Sequence, residues 1–184
     1  SVVYDVEYCN GYMAVAYGTG VSTATSPDGL AVVSVVSATT GETISEPTYT
    51  PAVTGVTVIG SYGSRYFIFF AYDNGSTAIT AFYFDTQNPA NGWASIGTVA
   101  GTTSNAYPAV ASHSSGVFIA YGTTAGASRV TVERYTIAGS ASSTSIVAAA
   151  TPGKVSCDVS TGNTLWVAFS QSTNINVVGL NPAN

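Results

Sequence analysis

The chain has 184 residues, of which 46% are hydrophobic, so it is long enough for one domain with a sizeable core. Only 7% of the residues are charged, against about 25% in a typical domain, so Ser, Thr, Asn and Gly must form most of the polar surface. The net charge of −5 argues against nucleic-acid binding through a basic patch, and no apolar run approaches the roughly 20 residues of a membrane-spanning helix.

The first two units of the sequence each contain four short runs rich in β-branched and aromatic residues, which are typical of strands. In the first unit the runs span 2–9, 12–18, 30–38 and 41–47. In the second unit they span 55–62, 65–72, 78–85 and 93–99. Clusters of Gly, Asn, Asp and Ser, such as YDNGST at 72–77, separate the runs and indicate tight turns.

The third unit shows the clearest alternation, because RVTVERYTI at 129–137 places Val130, Val132 and Arg134 on one face of a strand. Its four runs span 107–113, 116–122, 129–137 and 143–149. The fourth unit has three runs, at 154–160, 164–170 and 174–180, and lacks an outermost strand. The second run of every unit is apolar on both faces, as expected of a strand between stacked sheets.

The second runs can be set in register at Tyr17, Tyr72, Tyr121 and Phe169, with steps of 55, 49 and 48 residues. Periods of about 40–50 residues indicate propeller blades of four strands each. The sequence therefore predicts one all-β region at 1–184, a propeller-like array of about four blades. The blades are expected near 1–50, 51–104, 105–151 and 152–184. A duplicated β-sandwich and a fibrous or solenoid β structure are the alternatives.

With this repeat the sequence resembles β-propeller blades in general. It has neither the Gly-His and Trp-Asp pairs of WD repeats nor the double glycine of kelch repeats. SPDGL at 26–30 resembles the sialidase Asp box, although its glycine comes one residue early and no Trp follows. In composition the chain resembles propellers of phage tails, such as tail nozzle proteins. That resemblance implies a non-enzymatic structural or attachment protein of a virion, phage tail or other extracellular assembly.

The incomplete fourth unit indicates that the array is part of a larger propeller. An open array would expose two apolar blade faces, which is unfavourable. We therefore expect partners: further blades of the same chain or other protein chains. A compact ring of four blades is the competing arrangement.

Four residues are candidates for ligand binding, with glycans as the ligand class. Tyr49 and Tyr107 fall in or beside loops between blades, where their rings would stack on a sugar. Trp93 begins an outermost strand, and His113 ends an innermost strand that faces the central channel. For each residue, packing in the core or at a blade edge is the simpler interpretation.

A propeller hydrolase or lyase is the third functional hypothesis, after the structural protein and the sugar-binding module. Asp5 and Glu7 share a strand face, and Asp158 lies on the corresponding strand of the fourth unit. A glycosidase needs two carboxylates about 5–10 Å apart. Because the cationic groups that usually hold such substrates are absent, we assign no catalytic residue and expect no enzyme activity.

Cys9 and Cys157 are interpreted as two small buried hydrophobic residues. A disulfide between them is the alternative, because the two ends of a ring-shaped fold come close together. Their spacing is not that of a metal site, and the sequence indicates neither a metal nor a cofactor.

Overall fold

A computed structural model describes residues 2–19, 29–45, 48–53, 57–62, 66–73, 79–99, 108–123, 129–147 and 153–183. Within these ranges the chain forms sixteen β-strands and one short 3-10 helix at Pro89–Asn91. The described residues include no helix with the length and apolar character needed to cross a bilayer.

The strands form four antiparallel sheets, and in each sheet the main strand order follows the chain. Sheet 1 contains β1 (Val2–Cys9), β2 (Tyr12–Thr19), β3 (Gly29–Ser37), β4 (Thr43–Ser45) and β5 (Thr48–Val53). Sheet 2 contains β6 (Thr57–Tyr62), β7 (Phe67–Asp73), β8 (Ile79–Asp85) and β9 (Trp93–Val99). Sheet 3 contains β10 (Ala109–His113), β11 (Gly116–Thr123), β12 (Arg129–Thr136) and β13 (Gly139–Val147). Sheet 4 contains β14 (Val155–Val159), β15 (Leu165–Gln171) and β16 (Asn174–Leu180).

The four antiparallel sheets confirm the predicted all-β, propeller-like fold. Among the described residues, sheet 4 has three strands. One strand was not predicted: β5 pairs with β3, with Tyr49 opposite Ala31 and Val53 opposite Gly29. Pro51 cannot donate to a ladder, which is typical of an edge strand. Tyr49 therefore belongs to an edge strand of sheet 1 and not to a loop. The last strand of sheet 3 also begins earlier than predicted, at Gly139 instead of residue 143.

The four innermost strands lie side by side in chain order. β1 contacts β6, β6 contacts β10, and β10 contacts β14. Between the described residues of β14 and β1 there is no comparable contact. The described sheets thus form an open arc, and the compact ring of four blades does not occur in this structure.

Three apolar clusters fill the spaces between successive sheets. The first joins Cys9, Ala14, Ala16, Val33 and Val35 of sheet 1 to Ile68, Phe70 and Phe84 of sheet 2. The second joins Phe69, Ala71, Ile79 and Ala81 of sheet 2 to Val117, Ile119, Tyr121 and Tyr135 of sheet 3. The third joins Ala111, Phe118, Ala120, Val130 and Val132 of sheet 3 to Val155, Leu165, Val167 and Phe169 of sheet 4. Because strand neighbours face opposite sides, sheets 2 and 3 are covered on both faces.

One carboxylate lies at the junction of sheets 2 and 3. Glu133 on β12 accepts hydrogen bonds from the hydroxyls of Tyr121, at 2.7 Å, and Tyr135. Both tyrosines are buried in the second cluster, whereas Glu133 is half-buried. Burial, and then the hydrogen bond to Glu133, raise the pKa of Tyr121 above its ordinary value, so the phenol remains a donor.

Both cysteines are thiols, so the disulfide alternative does not occur. Cys9 is buried between sheets 1 and 2, where its Sγ lies 3.7 Å from the carbonyl oxygen of Phe67. Cys157 on β14 packs against the third cluster. Burial raises the pKa of the Cys157 thiol from 9.0 to about 12, partly offset by a hydrogen bond with the backbone of Ala120.

The raised pKa of Cys157 predicts a loss of stability at alkaline pH. In the unfolded chain the thiol ionises at its ordinary pKa, whereas in the folded protein it keeps its proton up to about pH 12. The free energy of unfolding is therefore unaffected by this group below about pH 9, and above that value it falls by up to about 1.4 kcal/mol for each pH unit. Urea unfolding between pH 8 and 11 should show a shallower decline for Cys157→Ala than for the unchanged protein. Equal slopes would contradict the prediction.

Candidate functional site

The four second strands of the sheets place equivalent residues at equivalent positions. Tyr17, Tyr72, Tyr121 and Phe169 occupy equivalent positions in these strands. The residues three positions earlier face the next sheet along the chain, or the open side in sheet 4; they are Ala14, Phe69, Phe118 and Trp166. The residues four positions earlier face the preceding sheet, or the open side in sheet 1; they are Met13, Ile68, Val117 and Leu165. The clusters agree with this pattern, since Phe69 shares a cluster with Val117 of sheet 3 and Phe118 shares a cluster with Leu165 of sheet 4.

Sheet 4 presents an apolar face with no described sheet beyond it. Trp166 occupies the position of Phe69 and Phe118, which are 1% and 4% exposed, yet the indole is 47% exposed. Ile175 and Val177 on β16 share this face and are 78% and 60% exposed. A face that the repeat would bury in any interior sheet is therefore open to solvent in sheet 4.

Sheet 1 presents the complementary face at the other end of the arc. Met13 occupies the position of Ile68, Val117 and Leu165, which are at most 1% exposed, yet Met13 is 39% exposed. Val6 and Tyr8 on β1 lie on the same face and are also exposed. We call these two surfaces the sheet 1 end face (Val6, Tyr8 and Met13) and the sheet 4 end face (Trp166, Ile175 and Val177).

The indole of Trp166 lies against a glycine. Gly179 is opposite Trp166 in the β15–β16 ladder, and a β-carbon at Gly179 would stand 3.0 Å from Cζ3 of the indole. Beside the ring is an open depression of about 680 Å³. Its lining consists of Gly162, Asn163, Thr164, Trp166, Gly179, Leu180 and Asn181. Gly179 thus lets a large aromatic ring lie close to the sheet, next to polar side chains.

His113 of sheet 3 contacts Asn163, one of the residues of sheet 4 that line this depression. Its Nδ1 accepts a hydrogen bond from the backbone N–H of Ser115 at 3.1 Å, and its Nε2 lies 2.5 Å from Oδ1 of Asn163. Because Oδ1 is an acceptor, Nε2 is assigned as the donor. The hydroxyl of Ser115 donates to the carbonyl of Pro182 at 2.9 Å. The Nε2 contact therefore joins sheet 3 to sheet 4, whereas Nδ1 is engaged within the β10–β11 turn of sheet 3.

A similar contact joins sheets 1 and 2. Asn10, in the turn after β1, donates from Nδ2 to Oγ1 of Thr86 at 3.1 Å. The Thr86 hydroxyl in turn donates to the carbonyl oxygen of Tyr66. A polar side chain in the innermost hairpin of sheet 1 thus binds a turn of sheet 2, much as His113 of sheet 3 contacts a turn of sheet 4.

Of the four predicted ligand-binding residues, the three that the structure describes lie in three different sheets. Trp93 packs against the first cluster, where its ring centroid lies 5.4 Å from that of Phe84 and 6.0 Å from that of Phe70. Among the described residues, none accepts a hydrogen bond from the buried Nε1 of Trp93. His113 lies at the junction of sheets 3 and 4, and Tyr49 lies in β5 of sheet 1. Tyr107 lies outside the described residues.

The three carboxylates of the hydrolase hypothesis lie in the first and last sheets. Asp5 and Glu7 are opposite Ala16 and Ala14 in sheet 1, and Asp158 is opposite Trp166 in sheet 4. Asp158 is exposed and accepts a hydrogen bond from the N–H of Val159 at 2.8 Å. Among the residues described, no three His, Cys, Asp or Glu side chains are grouped closely enough to hold a metal ion.

Sequence reasoning predicted exposed apolar blade faces but did not single out Trp166 or Met13. The alignment of the four second strands would have been enough to identify both residues as exposed. Trp166 stands where Phe69 and Phe118 point toward the next sheet, and no sheet is described beyond its own. An aromatic residue at that position is therefore expected to face outward.

No protein-family model matches the sequence, and no curated protein matches it. Among solved structures, the chain is similar to the β-propeller domain of Cps50 (Swd1) from Myceliophteria thermophila. That comparison has a TM-score of 0.57 and 10% identity over 95% of this chain and 52% of the other. A GH43 endo-arabinanase from Bacillus licheniformis has a TM-score of 0.47 and 12% identity, over 95% of this chain and 69% of the enzyme. The chain spans about half the length of the Cps50 domain, and the similarity shows that its four antiparallel sheets are arranged as in a β-propeller.

Proposed function

We propose that the protein is a non-enzymatic structural or attachment component whose two end faces join it to other protein in an assembly. A virion, a phage tail or another extracellular structure is the proposed setting. The observation that carries the proposal is the exposure of Trp166 and Met13 at positions where the repeat buries its apolar side chains. The low charge and the Ser- and Thr-rich composition fit a surface that functions within an assembly.

Energetics favours covering these faces with protein. Burial of apolar surface is worth about 25 cal/mol for each Å² removed from water, so covering a few hundred Å² contributes several kcal/mol. Contiguous exposed apolar patches on soluble proteins mark interaction sites more often than isolated apolar residues do. Trp is also enriched among the residues that contribute most to protein–protein binding.

Two observations support a role without catalysis. Both nitrogens of His113 are engaged in contacts within and between sheets 3 and 4, so neither is free to act as a base on a substrate. Glu133 accepts hydrogen bonds from two buried tyrosines at the junction of sheets 2 and 3, so its carboxylate is engaged in the core.

Labelling of introduced thiols tests this proposal in the source material. Ile175→Cys places a thiol on the sheet 4 end face, and Ile137→Cys places one in the turn after β12, where Ile137 is 45% exposed. We expect maleimide to label both variants in the dilute isolated chain. In the native assembly, only Ile137→Cys should remain reactive. Equal labelling of Ile175→Cys in the two states would overturn the proposal.

Carbohydrate binding is the alternative function, and Trp166 is the observation that favours it. Its exposed ring stands beside Asn163, Thr164 and Asn181 at an open depression, which combines a stacking surface with amide and hydroxyl groups. A glycan array that reports binding by the unchanged protein and none by Trp166→Ala would support this function. Absence of glycan binding by the unchanged protein would contradict it.

A further inference from the structure

We infer that Asn10 is a site of spontaneous deamidation, and that its conversion to a carboxylate removes a hydrogen bond between sheets 1 and 2. Asn10 and Gly11 form the turn between β1 and β2, and the Asn10 side chain is exposed. That side chain is bound to Thr86, which follows β8 of sheet 2, so the reaction does not depend on what covers the two end faces.

The reaction is an attack within the chain, and water is its only other reactant. The backbone nitrogen of Gly11 attacks Cγ of Asn10, the bond from Cγ to Nδ2 breaks, and the proton of the attacking nitrogen leaves with Nδ2 as ammonia. Water then opens the resulting cyclic imide at one of its two carbonyl carbons. Opening at Cγ gives isoaspartate or aspartate according to which carbon–nitrogen bond breaks, so in either case one amide becomes one carboxylate.

Gly11 leaves the turn open to this attack. Asn10 and Gly11 have φ values of 49° and 85°, and positive values at both positions are what a two-residue type I′ turn requires. Glycine has no side chain that would hinder the approach of Cγ to its nitrogen. The carbonyl oxygen of Gly11 accepts a hydrogen bond from the N–H of Ala38 at 2.9 Å, whereas no described residue accepts one from the N–H of Gly11.

A second Asn-Gly pair among the described residues, Asn91–Gly92, serves as a comparison within the same chain. The N–H of Gly92 donates to the carbonyl oxygen of Pro89 at 3.1 Å, at the end of the 3-10 helix. Because the attacking nitrogen has to lose its proton, this hydrogen bond slows the reaction at Asn91. Asn10 should therefore convert before Asn91. A further pair at 74–75 lies outside the described residues.

The contact with Thr86 restrains Asn10. The Thr86 hydroxyl donates its hydrogen to the carbonyl oxygen of Tyr66, so toward Asn10 it acts as an acceptor, and Nδ2 donates to it at 3.1 Å. Thr86 is 4% exposed, so its side of the contact is shielded from water. The Asn10 amide has to leave Thr86 before its Cγ can rotate toward the nitrogen of Gly11, and the strength of this contact therefore sets the rate.

Conversion of Asn10 weakens the junction of sheets 1 and 2. A carboxylate has only acceptor oxygens, and it would face the Thr86 oxygen, whose hydrogen is engaged with Tyr66. If the hydroxyl turned toward the carboxylate instead, it would give up its bond to Tyr66. One hydrogen bond is lost in either case, and the net charge of −5 becomes more negative.

Peptide mapping by mass spectrometry, after incubation of the folded protein at mildly alkaline pH, tests the rate. In the unchanged protein, aspartate and isoaspartate should accumulate faster at residue 10 than at residue 91. Thr86→Val removes the acceptor, so conversion at residue 10 should be faster by roughly fivefold, the factor expected for the loss of one hydrogen bond. Thr86→Ser keeps the hydroxyl and is the matched control. The rate at residue 91 should be the same in all three proteins.

Asn10→Asp tests the consequence for stability, because Asp tolerates the left-handed backbone of this turn as Asn does. Its midpoint of urea unfolding should be lower by about 0.5 M, as expected for the loss of one hydrogen bond. In a Thr86→Val background the contact is already absent, so there Asn10→Asp should leave the midpoint unchanged.

Faster conversion at residue 91 than at residue 10 would overturn the assigned site. Equal rates at residue 10 in Thr86→Val and Thr86→Ser would overturn the restraint by Thr86. If Thr86→Val does not fold by circular dichroism, the unchanged protein is compared with and without urea. Faster conversion at residue 10 in urea then supports the restraint, and equal rates overturn it. An equal shift of Asn10→Asp in both backgrounds would overturn the loss of the contact between the sheets.

Discussion

Phe70→Ala is expected to lower the free energy of unfolding by about 3–5 kcal/mol. Phe70 is fully buried between sheets 1 and 2, with its ring 6.4 Å from Phe82 and 6.0 Å from Trp93. Truncation removes the transfer free energy of the ring and leaves a cavity that the paired strands on either side cannot close. Urea unfolding followed by tryptophan fluorescence measures the change.

Ile137→Ala is the matched control for Phe70→Ala, because it also shortens an apolar side chain but at an exposed turn. Its effect should stay within about 0.5 kcal/mol. A loss below about 1 kcal/mol for Phe70→Ala would show that sheets 1 and 2 do not pack through this residue. Both variants should be measured at one protein concentration, since assembly through the end faces adds to the apparent stability.

Glu133→Ala is expected to lower the free energy of unfolding by about 3 kcal/mol. The substitution leaves the hydroxyls of Tyr121 and Tyr135, both in buried residues, without their shared acceptor. Loss of the acceptor of a buried donor costs about 1–3 kcal/mol, and Tyr121 keeps its hydrogen bond with the side chain of Thr131. Glu133→Gln should have a smaller effect, because its single carbonyl oxygen still accepts a hydrogen bond. Urea unfolding of the three proteins at neutral pH measures the differences.

Two further variants serve as a control and as a test of the coupling between Glu133 and Tyr135. Glu42→Ala removes a carboxylate from an exposed turn and should change stability by less than about 0.5 kcal/mol. In Tyr135→Phe only one donor remains, so Glu133→Ala should cost less in that background than in the unchanged protein. Equal costs in the two backgrounds would show that the tyrosine and the carboxylate are not coupled.

The strands could be predicted because their signals are local. Alternation in 129–137 and the apolar second runs follow from the period of two in a pleated strand. β5 could not be predicted in the same way, since the six residues TYTPAV contain a proline and pair through only part of their length. Its place in sheet 1 depends on the free edge of β3, which no property of residues 48–53 indicates.

The contacts of individual polar residues could not be predicted either. His113 and Asn163 are 50 residues apart, and their contact exists only because sheets 3 and 4 bring two hairpin turns to the same end of the arc. Glu133 alternates in a strand as a solvent-facing residue would, yet it meets two tyrosines at the junction of two sheets. The contact of His113 with Asn163 depends on how two sheets pack. The contacts of Glu133 lie within sheet 3: the period of two places Glu133 and Tyr135 on one face of β12, and the register of β11 against β12 adds Tyr121.

The sequence by itself determined the repeat, the four antiparallel units and the apolar character of both faces of each second strand. Side-chain size and β-propensity act within a few residues and recur about every 50 positions. Only the tertiary structure decided which faces are covered, because covering a face requires a neighbouring sheet. Trp166 and Phe118 are equivalent in the repeat, and they differ in exposure because sheet 3 is followed by sheet 4, whereas sheet 4 has no described sheet beyond it.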